Sequence, residues 1–381
     1  MDTLKKVEVG KLQTPPITIP STYTISKIVG VLKDKNCYEV FIPEKGKVGI
    51  VTIRDILRVS HPTTTKTSSI MKYPTSLSPT TSLGEAARIL TDYRLRALPI
   101  MEGRELTGAL TARKILEFLL EKGSLNLQVK SLTTGRLTTI SENDTVAKAR
   151  NLMVDKKIDH LPVISDKKIA GIVTSNEIVF RLIPRERIAI AMTSTRGAQK
   201  NLGYQASSIM ETPLTCQARD KASEALTNML RAGKTYNLVE VLGMVQSIVT
   251  PRDYINLLAE PKPIVEIPVY IIGLPEDPFE AEVAKSKFLN SIETLKRAFP
   301  EIEEARSVIK ISESIKGKER RRYEVDIVMK TLKGVVNYSH SGWDLPSIYD
   351  ELATRIKRLM TQRRGTAKRY LRKGQKTKRK R

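Results

Sequence analysis

Apolar residues recur at spacings of three and four in four separate segments of the chain. Each such stripe is typical of a helix that packs one face on a sheet. The stripes are Ile25, Ile28, Val29 and Leu32; Leu83, Ala86, Ala87 and Leu90; Val146, Ala149, Leu152 and Met153; and Ala222, Ala225, Leu226 and Met229. Two short apolar runs follow each stripe at a similar distance. The pattern therefore predicts one structural unit, a helix followed by two strands, repeated four times.

The predicted strand pairs end in related phrases. The pairs cover 38–42 with 48–51, 97–101 with 106–110, 160–164 with 169–173, and 237–242 with 244–249. The phrases that close them are GIVTIRDIL, GALTARKIL, GIVTSNEIV and QSIVTPRDYI. In each phrase a Thr precedes a further apolar helix, because Thr is a favoured residue at the start of a helix. His160 is interpreted as a packing or hydrogen-bonding residue of its strand.

These phrases, with ALPI and HLPVI just upstream, resemble cystathionine-β-synthase (CBS) domains. The resemblance covers about residues 15–260 and is clearest in the third repeat, from Val129 to Ile183. Members of this family pair two repeats face to face into a module, and their modules commonly bind adenine nucleotides or related adenosyl ligands between repeats. The resemblance therefore implies two modules, at 15–125 and 126–260, and a regulatory adenine nucleotide such as AMP, ADP or ATP.

The Thr of each phrase and the residue three positions later form the candidate ligand motif. A carboxylate accepts hydrogen bonds from both ribose hydroxyls, and a Thr hydroxyl at a helix start can hold a phosphate. The motif residues are Thr52 and Asp55, Thr174 and Glu177, and Thr250 and Asp253. In the second repeat Thr111 is followed by Lys114, which cannot accept from a ribose. The same spacing also forms a capping box, so capping and ligand binding stay open as alternatives.

A different pattern begins after the joint at residues 260–263. It predicts a strand at 264–273, a helix at 277–299, strands at 306–312, 323–329 and 335–340, and a last helix from Leu345. The apolar stripe of this last helix is Leu345, Ile348, Leu352, Ile356 and Leu359. This βαβββα order predicts one sheet with two helices on one face, and Trp343 as part of its core. The fold class is therefore α+β: four CBS repeats, a small domain at 264–362, and a disordered basic tail at 363–381.

The end of this domain, WDLPSIYDELATRIKRLMTQRR, resembles the ribosome hibernation-promoting factor and ribosome-associated inhibitor family. Members bind the small ribosomal subunit, where basic helix faces contact rRNA and block the path of mRNA and tRNA. The resemblance implies phosphate contacts from the last helix and the first helix of the domain. Those residues are Arg355, Lys357, Arg358, Arg363 and Arg364 on the last helix, and Lys285 and Lys287 on the first.

The positive charge of the chain is concentrated at its end. The net charge is +24, from 65 Lys and Arg against 41 Asp and Glu. Residues 361–381 contain 11 Lys and Arg and no acid, whereas residues 264–360 contain 16 bases and 16 acids. We expect such a tail to be disordered until it meets a polyanion. Its candidate RNA contacts include Lys368, Arg369, Arg372 and Lys373, and a basic insertion at 184–205 is a second candidate.

Several classes of function are not expected from this composition. Two cysteines and three scattered histidines indicate neither a disulfide framework nor a metal site. We find no nucleophile and base pair and no Gly-rich phosphate loop, so no catalytic residue is predicted. The chain has no apolar run long enough to span a membrane, and its start lacks the apolar segment of a secretion signal. We therefore expect a cytoplasmic protein.

These observations predict a non-enzymatic, ribosome-associated regulator of translation. Its CBS modules would sense an adenine nucleotide, and its last domain and tail would bind small-subunit rRNA and inactivate or store ribosomes. Self-association or dimerisation of subunits through the CBS modules is a further expectation. Two alternatives stay open: a nucleotide-regulated DNA-binding transcription regulator, and a CBS regulatory subunit of an unidentified enzyme.

Overall fold

A computed structural model of the chain describes residues 1–133, 137–166, 168–183, 202–241, 244–261, 267–312, 321–332 and 334–378. Within these ranges, side chains are described as far as Thr361, except those of Pro278 and Ser312. The chain divides into two compact units, Met1–Glu260 and Pro261–Arg381. Most of the basic insertion at 184–205 lies outside the described residues, and so does the prediction made for it.

The first unit contains the four predicted repeats. A short helix, α1 (Asp2–Lys5), precedes them. The helix and two antiparallel strands of each repeat are α2 (Ile25–Asp34), β1 (Glu39–Glu44) and β2 (Lys47–Thr52); α4 (Leu83–Tyr93), β3 (Ala97–Glu102) and β4 (Glu105–Thr111); α6 (Val146–Lys156), β6 (His160–Ser165) and β7 (Lys168–Thr174); and α8 (Ala222–Arg231), β9 (Asn237–Val241) and β10 (Met244–Val249). The predicted apolar stripes are buried, with Leu152 half-buried.

A second helix closes each repeat directly after the Thr of its phrase. These helices are α3 (Ile53–Ile56), α5 (Ala112–Glu121), α7 (Ser175–Leu182) and α9 (Pro251–Asn256). The hydroxyls of Thr52, Thr111 and Thr174 each accept a hydrogen bond of 3.2 Å from the N–H three residues later. Such a cap satisfies one donor that the first turn cannot pair internally. Two further strands, β5 (Ile140–Ser141) and β8 (Thr215–Gln217), pair in parallel with β6 and β9.

Segments of chain cross between repeats and tie them in pairs. The N–H of Val9, which precedes the first repeat, donates to the carbonyl of Thr81 at the start of the second, at 2.9 Å. The N–H of Val129, which precedes the third repeat, donates in the same way to Asp220 of the fourth, at 2.9 Å. Repeats one and two are therefore linked through the backbone, and so are repeats three and four.

Helix packing joins the repeats in the other direction. A continuous apolar core includes Ile28 and Ile53 of the first repeat and Met153 and Ile178 of the third. Helix α3 packs against α7, and α9 packs against both α4 and α5. Because burial of apolar side chains is the main stabilising contribution to folding, these contacts hold the four repeats together as one unit.

The second unit has the predicted βαβββα order. Its elements are β11 (Val269–Ile272), α10 (Pro278–Ala298), β12 (Ile302–Ser312), β13 (Arg322–Thr331), β14 (Gly334–Gly342) and α11 (Leu345–Lys378). The sheet order is β11-β12-β13-β14, with β11 parallel to β12 and the other neighbours antiparallel. Alternate residues of β13 and the apolar stripe of α10 are buried in one core, where Phe288 lies against Tyr349.

Two sequence interpretations in this unit are wrong. Trp343 was expected in the core, but its side chain is 57% exposed. The corner between β14 and α11 is filled instead by Ile348, which lies so close to Gly342 that a Cβ there would be 3.2 Å away. Leu359 is 38% exposed, and Met360 is buried in its place. The stripe of α11 continues from Ile356 by four residues rather than three, which keeps it on the same face.

The backbone of α11 continues as a helix to Lys378. The predicted tail contacts Arg363, Arg364, Lys368, Arg369, Arg372 and Lys373 have side chains outside the described residues. The disorder predicted for the basic tail in the absence of a polyanion stays a prediction.

Candidate ligand site

Two of the cavities of the first unit are lined by described residues of its repeats. The larger has a volume of about 550 Å³ and is lined by residues of all four repeats. The smaller has a volume of about 280 Å³. Arg96, Asp159 and His160 line both cavities and so form part of the wall between them. A group bound in either cavity therefore meets the same central side chains.

Asp159 is the centre of a buried ionic cluster at this wall. Tyr38 donates its hydroxyl to Asp159 Oδ1 at 2.6 Å, and Arg54 donates to both oxygens of the carboxylate. Arg96 brings Nη2 to 3.5 Å from Oδ2, and its guanidinium lies 3.8 Å from the centre of the Tyr38 ring. The four residues come from the first, second and third repeats. The cluster therefore links three repeats through one carboxylate.

Burial and neighbouring charge set the ionisation of this cluster. Burial opposes the charge of Asp159, but Arg54 and Arg96 outweigh it and hold the pKa of Asp159 well below its ordinary value. Burial, with the nearby charge of Arg96, lowers the pKa of His160 to about 3. His160 is therefore neutral at pH 7, and its Nε2 lies 2.9 Å from Thr235 Oγ1. This agrees with its interpretation as a packing and hydrogen-bonding residue.

Cations dominate the smaller cavity. Six line it, namely Arg54, Arg94, Arg96, Lys156, Lys157 and Arg252. Its two acids are Asp159, which Arg54 and Arg96 already neutralise, and Asp253. Burial lowers the pKa of Arg94, and the charges of Arg252 and Arg54 add to this effect. Like charges held together in this way favour a bound anion.

The cations come from both halves of the repeat array. Arg94 and Lys157 are the residues that end the first helix of the second and third repeats, and both have left-handed backbones, with φ of +53° and +56°. Arg94 also donates to the carbonyl of Lys157 at 3.2 Å. Arg54 and Arg252 each precede the acid of a Thr phrase, in the first and fourth repeats. Equivalent positions of different repeats therefore converge on one cavity.

Of the three predicted Thr and acid pairs, Thr250 and Asp253 are found in the smaller cavity. The N–H and the hydroxyl of Thr250 both donate to Asp253 Oδ2, each at 2.8 Å. This is a capping box, and it uses only one of the two carboxylate oxygens. Burial raises the pKa of Asp253. The cap and a role in ligand binding are therefore compatible at this position.

Thr52 and Asp55 make the same cap but line neither of these two cavities. The N–H and the hydroxyl of Thr52 donate to Asp55 Oδ2 at 3.0 and 2.7 Å. The other oxygen, Oδ1, lies 3.1 Å from Lys72 Nζ. Both oxygens of Asp55 therefore have partners within the protein, one in the cap and the other in Lys72.

Thr174 and Glu177 line the larger cavity, together with Thr111 of the second repeat. The Glu177 carboxylate accepts a hydrogen bond from Arg181 Nε at 2.6 Å rather than from the backbone of Thr174. The third phrase therefore has a Thr cap without the reciprocal contact of its acid.

Sequence reasoning missed most of the central charges. The sequence offered a clue to Arg54 and Arg252, because both directly precede the acid in the related phrases TIRD and TPRD. Arg94, Arg96 and Asp159 had none, since they meet only when different repeats pack together.

The predicted RNA contacts of the second unit fall into two groups. Lys287 donates to both oxygens of Asp350 at 2.8 Å. Lys285 lies 3.7 Å from Glu282, and Arg355 lies 3.8 Å from Glu351. In contrast, Lys357 and Arg358 are exposed and form no ion pair with a described residue. These two cations are the most available of the described set.

No described helix is both long and apolar enough to cross a membrane. No cluster of three or more His, Cys, Asp or Glu side chains suited to a metal ion occurs among the described residues.

Comparison with known proteins identifies the repeats. Residues 8–62, 68–121 and 129–183 match the CBS domain. Inosine-5′-monophosphate dehydrogenase of Korarchaeum cryptofilum is 33% identical over 115 residues, which are 30% of this chain and 23% of the relative. Protein MJ1404 of Methanocaldococcus jannaschii is 24% identical over 272 residues, 69% of this chain and 64% of the relative. This chain therefore spans about a quarter of the dehydrogenase and about two thirds of MJ1404.

A solved structure shares the fold of the repeats. Protein MJ1225 of Methanocaldococcus jannaschii aligns with a TM-score of 0.60 at 19% identity, over 66% of this chain and 100% of its own. At this level of identity the likeness concerns the fold alone. Together, the matches and the repeated element order show that the first unit carries tandem CBS domains, which are regulatory rather than catalytic modules.

Proposed function

We propose that this protein is a non-enzymatic regulator that binds an adenine nucleotide in its first unit and small-subunit rRNA through its second. In this proposal the bound protein inactivates or stores ribosomes, and the nucleotide adjusts its binding. The observation that carries the first part is the convergence of cations beside Thr250 and Asp253. The second part is supported by the exposed cations of α11 and by the basic tail that follows them.

The smaller cavity has groups for each part of a nucleotide. Asp253 would accept hydrogen bonds from the ribose hydroxyls through Oδ1, because the cap uses only Oδ2. Arg94, Lys157 and Arg252 would hold the phosphates, since the cavity is lined by six cations and only two acids. Arg94 and Lys157 are half-buried, which strengthens their interaction with an anion relative to a fully exposed site, whereas Arg252 is exposed.

A calorimetric comparison of two aspartates tests nucleotide binding. AMP, ADP and ATP are titrated into the wild type and into Asp253→Ala, Arg252→Ala and Asp55→Ala. We expect the first two variants to lose roughly 10-fold or more in affinity, the size of a lost charge-assisted hydrogen bond. Asp55→Ala is the matched control, because it removes an equivalent cap away from the cavity. Equal affinities in all four proteins would show that the phrases act only as caps.

Co-sedimentation tests the ribosomal part of the proposal. The full chain and a chain ending at Thr361 are sedimented with small ribosomal subunits over a series of salt concentrations. We expect the shorter chain to bind more weakly and with a smaller salt dependence. A chain that makes fewer phosphate contacts releases fewer counterions when it binds. Equal and salt-insensitive binding by both chains would contradict a role for the tail.

Parallel measurements separate this function from its two alternatives. Preferential binding to duplex DNA over small-subunit rRNA at equal salt would favour a transcription regulator. A stable protein partner in ribosome-free fractions, with no affinity for ribosomes, would favour the regulatory subunit of an enzyme.

A further inference from the structure

Trp343 is the largest exposed apolar side chain among the described residues of the second unit. It is the only tryptophan of the chain and is 57% exposed, at the corner between β14 and α11. Ile348 packs against Gly342 and fills the core at this corner, so the fold does not bury the indole. An indole offers a large, flat apolar surface to a ligand. The ring of Trp343 is therefore available for binding.

The backbone on both sides of Trp343 is held in place. Gly342, directly before it, pairs with Tyr323 of β13. Asp344, directly after it, accepts a hydrogen bond of 3.2 Å from the N–H of Ser347 in the first turn of α11. Because both neighbours are fixed, the position of the ring is set before binding, and a contact with it costs less conformational entropy.

Two arginines lie at the same end of the sheet as the indole. Arg321 and Arg322 are both exposed. Extending the register of β13 and β14 by one residue places Arg322 opposite Trp343. Arg322 donates from Nη2 to Ser341 Oγ at 3.1 Å, which holds its guanidinium near this end of β14. An aromatic ring and two guanidinium groups are therefore brought together at one corner.

Acidic residues offset the charge of these arginines. Asp344 is used in the first turn of α11, and Glu324 lies opposite Ser341 in the strand pair. Residues 321–324 and 341–344 together contain two cations and two acids. Charge alone therefore gives this corner little attraction for a phosphate, and the feature that distinguishes it is the exposed ring.

Stacking on a nucleobase is the contact that this arrangement favours. Every base has a flat π face that packs on an aromatic side chain, and guanidinium groups add to such contacts. A base within a duplex is already stacked on its neighbours, so only an unpaired base is free to pack on a protein ring. Lys357 lies 12 residues beyond Leu345, the first residue of α11, or about 18 Å along the helix. One RNA strand can therefore contact both the ring and the exposed cations of α11.

We propose that Trp343 stacks on an unpaired base of the RNA that the second unit binds, and that Arg321 contacts a phosphate next to this base. The inference rests on the proposed function in one respect, that the partner of the second unit is RNA. It adds the kind of RNA that is recognised, a single-stranded segment rather than a duplex.

Fluorescence tests this contact, because Trp343 gives the only tryptophan emission of the chain. The full chain is titrated with small-subunit rRNA, with a single-stranded RNA of about 12 nucleotides, and with the duplex of that RNA and its complement. We expect the rRNA and the single strand to quench the emission and to protect the indole from acrylamide. The duplex should do neither, even where it binds the basic tail.

Affinities for the single strand over a series of salt concentrations separate stacking from charge. Trp343→Ala should weaken binding about 5-fold or more and leave the slope of log affinity against log salt unchanged. Trp343→Phe keeps an aromatic face and should retain most of the affinity. Arg321→Ala should reduce the slope by about 0.7. Leu332→Ala is the matched control, because it removes a side chain that is 74% exposed and has no ring, and it should change neither quantity.

Three results would overturn the inference. The first is equal quenching by the single strand and the duplex, and the second is equal affinity in wild type and Trp343→Ala. The third is protection of the indole by small ribosomal subunits but not by rRNA alone, which would assign the ring to a protein contact. If rRNA still binds the full chain in these cases, the proposed function survives. If rRNA does not bind at all, both fall.

Discussion

Asp159 shows how much one buried side chain can connect. Its carboxylate accepts hydrogen bonds from Tyr38 and Arg54 of the first repeat and forms an ion pair with Arg96 of the second. Asp159 itself belongs to the third repeat. Removing one partner of a buried ionic group is costly, because the remaining charges stay buried without compensation. The residue therefore matters for the assembly of the repeats as well as for the cavities it lines.

Asp159→Ala should lower the free energy of unfolding by about 3–5 kcal/mol, since it strands Arg54 and Arg96 in the interior. Urea unfolding at neutral pH measures the change. Asp55→Ala is the control, with an expected loss of about 1 kcal/mol for a cap. Similar losses in the two variants would show that the cluster around Asp159 is not a special source of stability.

Glu39 should make the stability of the protein depend on pH. Burial raises its pKa to about 8, above the ordinary value of about 4.3. Between these values the folded protein holds a proton that the unfolded chain has lost. The free energy of unfolding therefore falls as pH rises, by at most about 1.4 kcal/mol per pH unit. His160 opposes this fall only below about pH 6.5, since burial lowers its pKa to about 3 and its contribution is lost on acidification.

Urea unfolding of wild type and Glu39→Gln between about pH 6.5 and 8 tests this dependence. The wild type should lose stability across this range, while Glu39→Gln should change little, because glutamine does not titrate. Parallel curves for the two proteins would contradict the prediction. Burial also raises the pKa of Cys37, but its effect begins only as the unfolded thiol ionises at about pH 8.5, and Cys37 is present in both proteins.

At the scale of elements, one short motif has different consequences in different repeats. Helices α3 and α9 begin with the same capping box, yet Asp55 is paired with Lys72 and Asp253 lies in a cavity. The cap explains why the motif recurs, because every strand-to-helix junction has unpaired N–H groups. Ligand binding then depends on what the neighbouring repeat places beside the cap.

Gly273 controls the pairing of β11 with β12. Its φ is +75°, and a Cβ there would lie 2.1 Å from the carbonyl oxygen of Ile309. Gly273→Ala should therefore displace β11 and cost roughly 2 kcal/mol more than Gly334→Ala. Gly334 is the matched control because its φ is also positive, +116°, and nothing lies within 4 Å of its Cβ position.

Amide hydrogen exchange over residues 269–272 measures whether β11 is displaced from β12. Exchange should accelerate in Gly273→Ala and stay near the wild-type rate in Gly334→Ala. Equal protection of the strand in both variants would mean that the backbone adjusts around Ile309 without loss of pairing.

At the scale of the whole molecule, the two units differ in where their charged residues lie. The first unit has a buried ionic cluster around Asp159 and a cavity lined by six cations and two acids. The second unit is neutral over residues 264–360 and is followed by 11 cations without an acid in residues 361–381. Within the described part of α11, Lys357 and Arg358 form an exposed positive surface.

A double variant tests whether this surface contacts RNA. Lys357→Ala with Arg358→Ala should reduce the slope of log affinity against log salt for small-subunit rRNA by about 1.4–1.8. Lys287→Ala is the control with a smaller expected effect, because its ammonium is held by Asp350. A larger effect from Lys287 than from the double variant would place the contact on α10 instead of α11.

Much of the fold was predictable because its signals are local. The stripes of Ile25 and Leu83 identified the helices of the repeats, and the alternation of Tyr323 to Met329 identified β13, since burial on one face imposes a period on the chain. Corners were less predictable. Gly342 and Trp343 lie outside any periodic apolar pattern, so the sequence does not show which side chain fills the core at this corner. Ile348 fills it because it packs against Gly342.

The sequence by itself determined the four repeats, the Thr phrase that precedes the second helix of each repeat, and the order of elements in the second unit. Each of these features depends on residues within a few positions of one another. Only the tertiary structure decided which phrase faces a cavity and what charge it meets there. Arg94, Asp159 and Arg252 are distant in the chain and come together through the packing of separate repeats. The chemistry of the candidate site is therefore a property of that packing, since five of the six cations that line the cavity with Asp253 belong to other repeats.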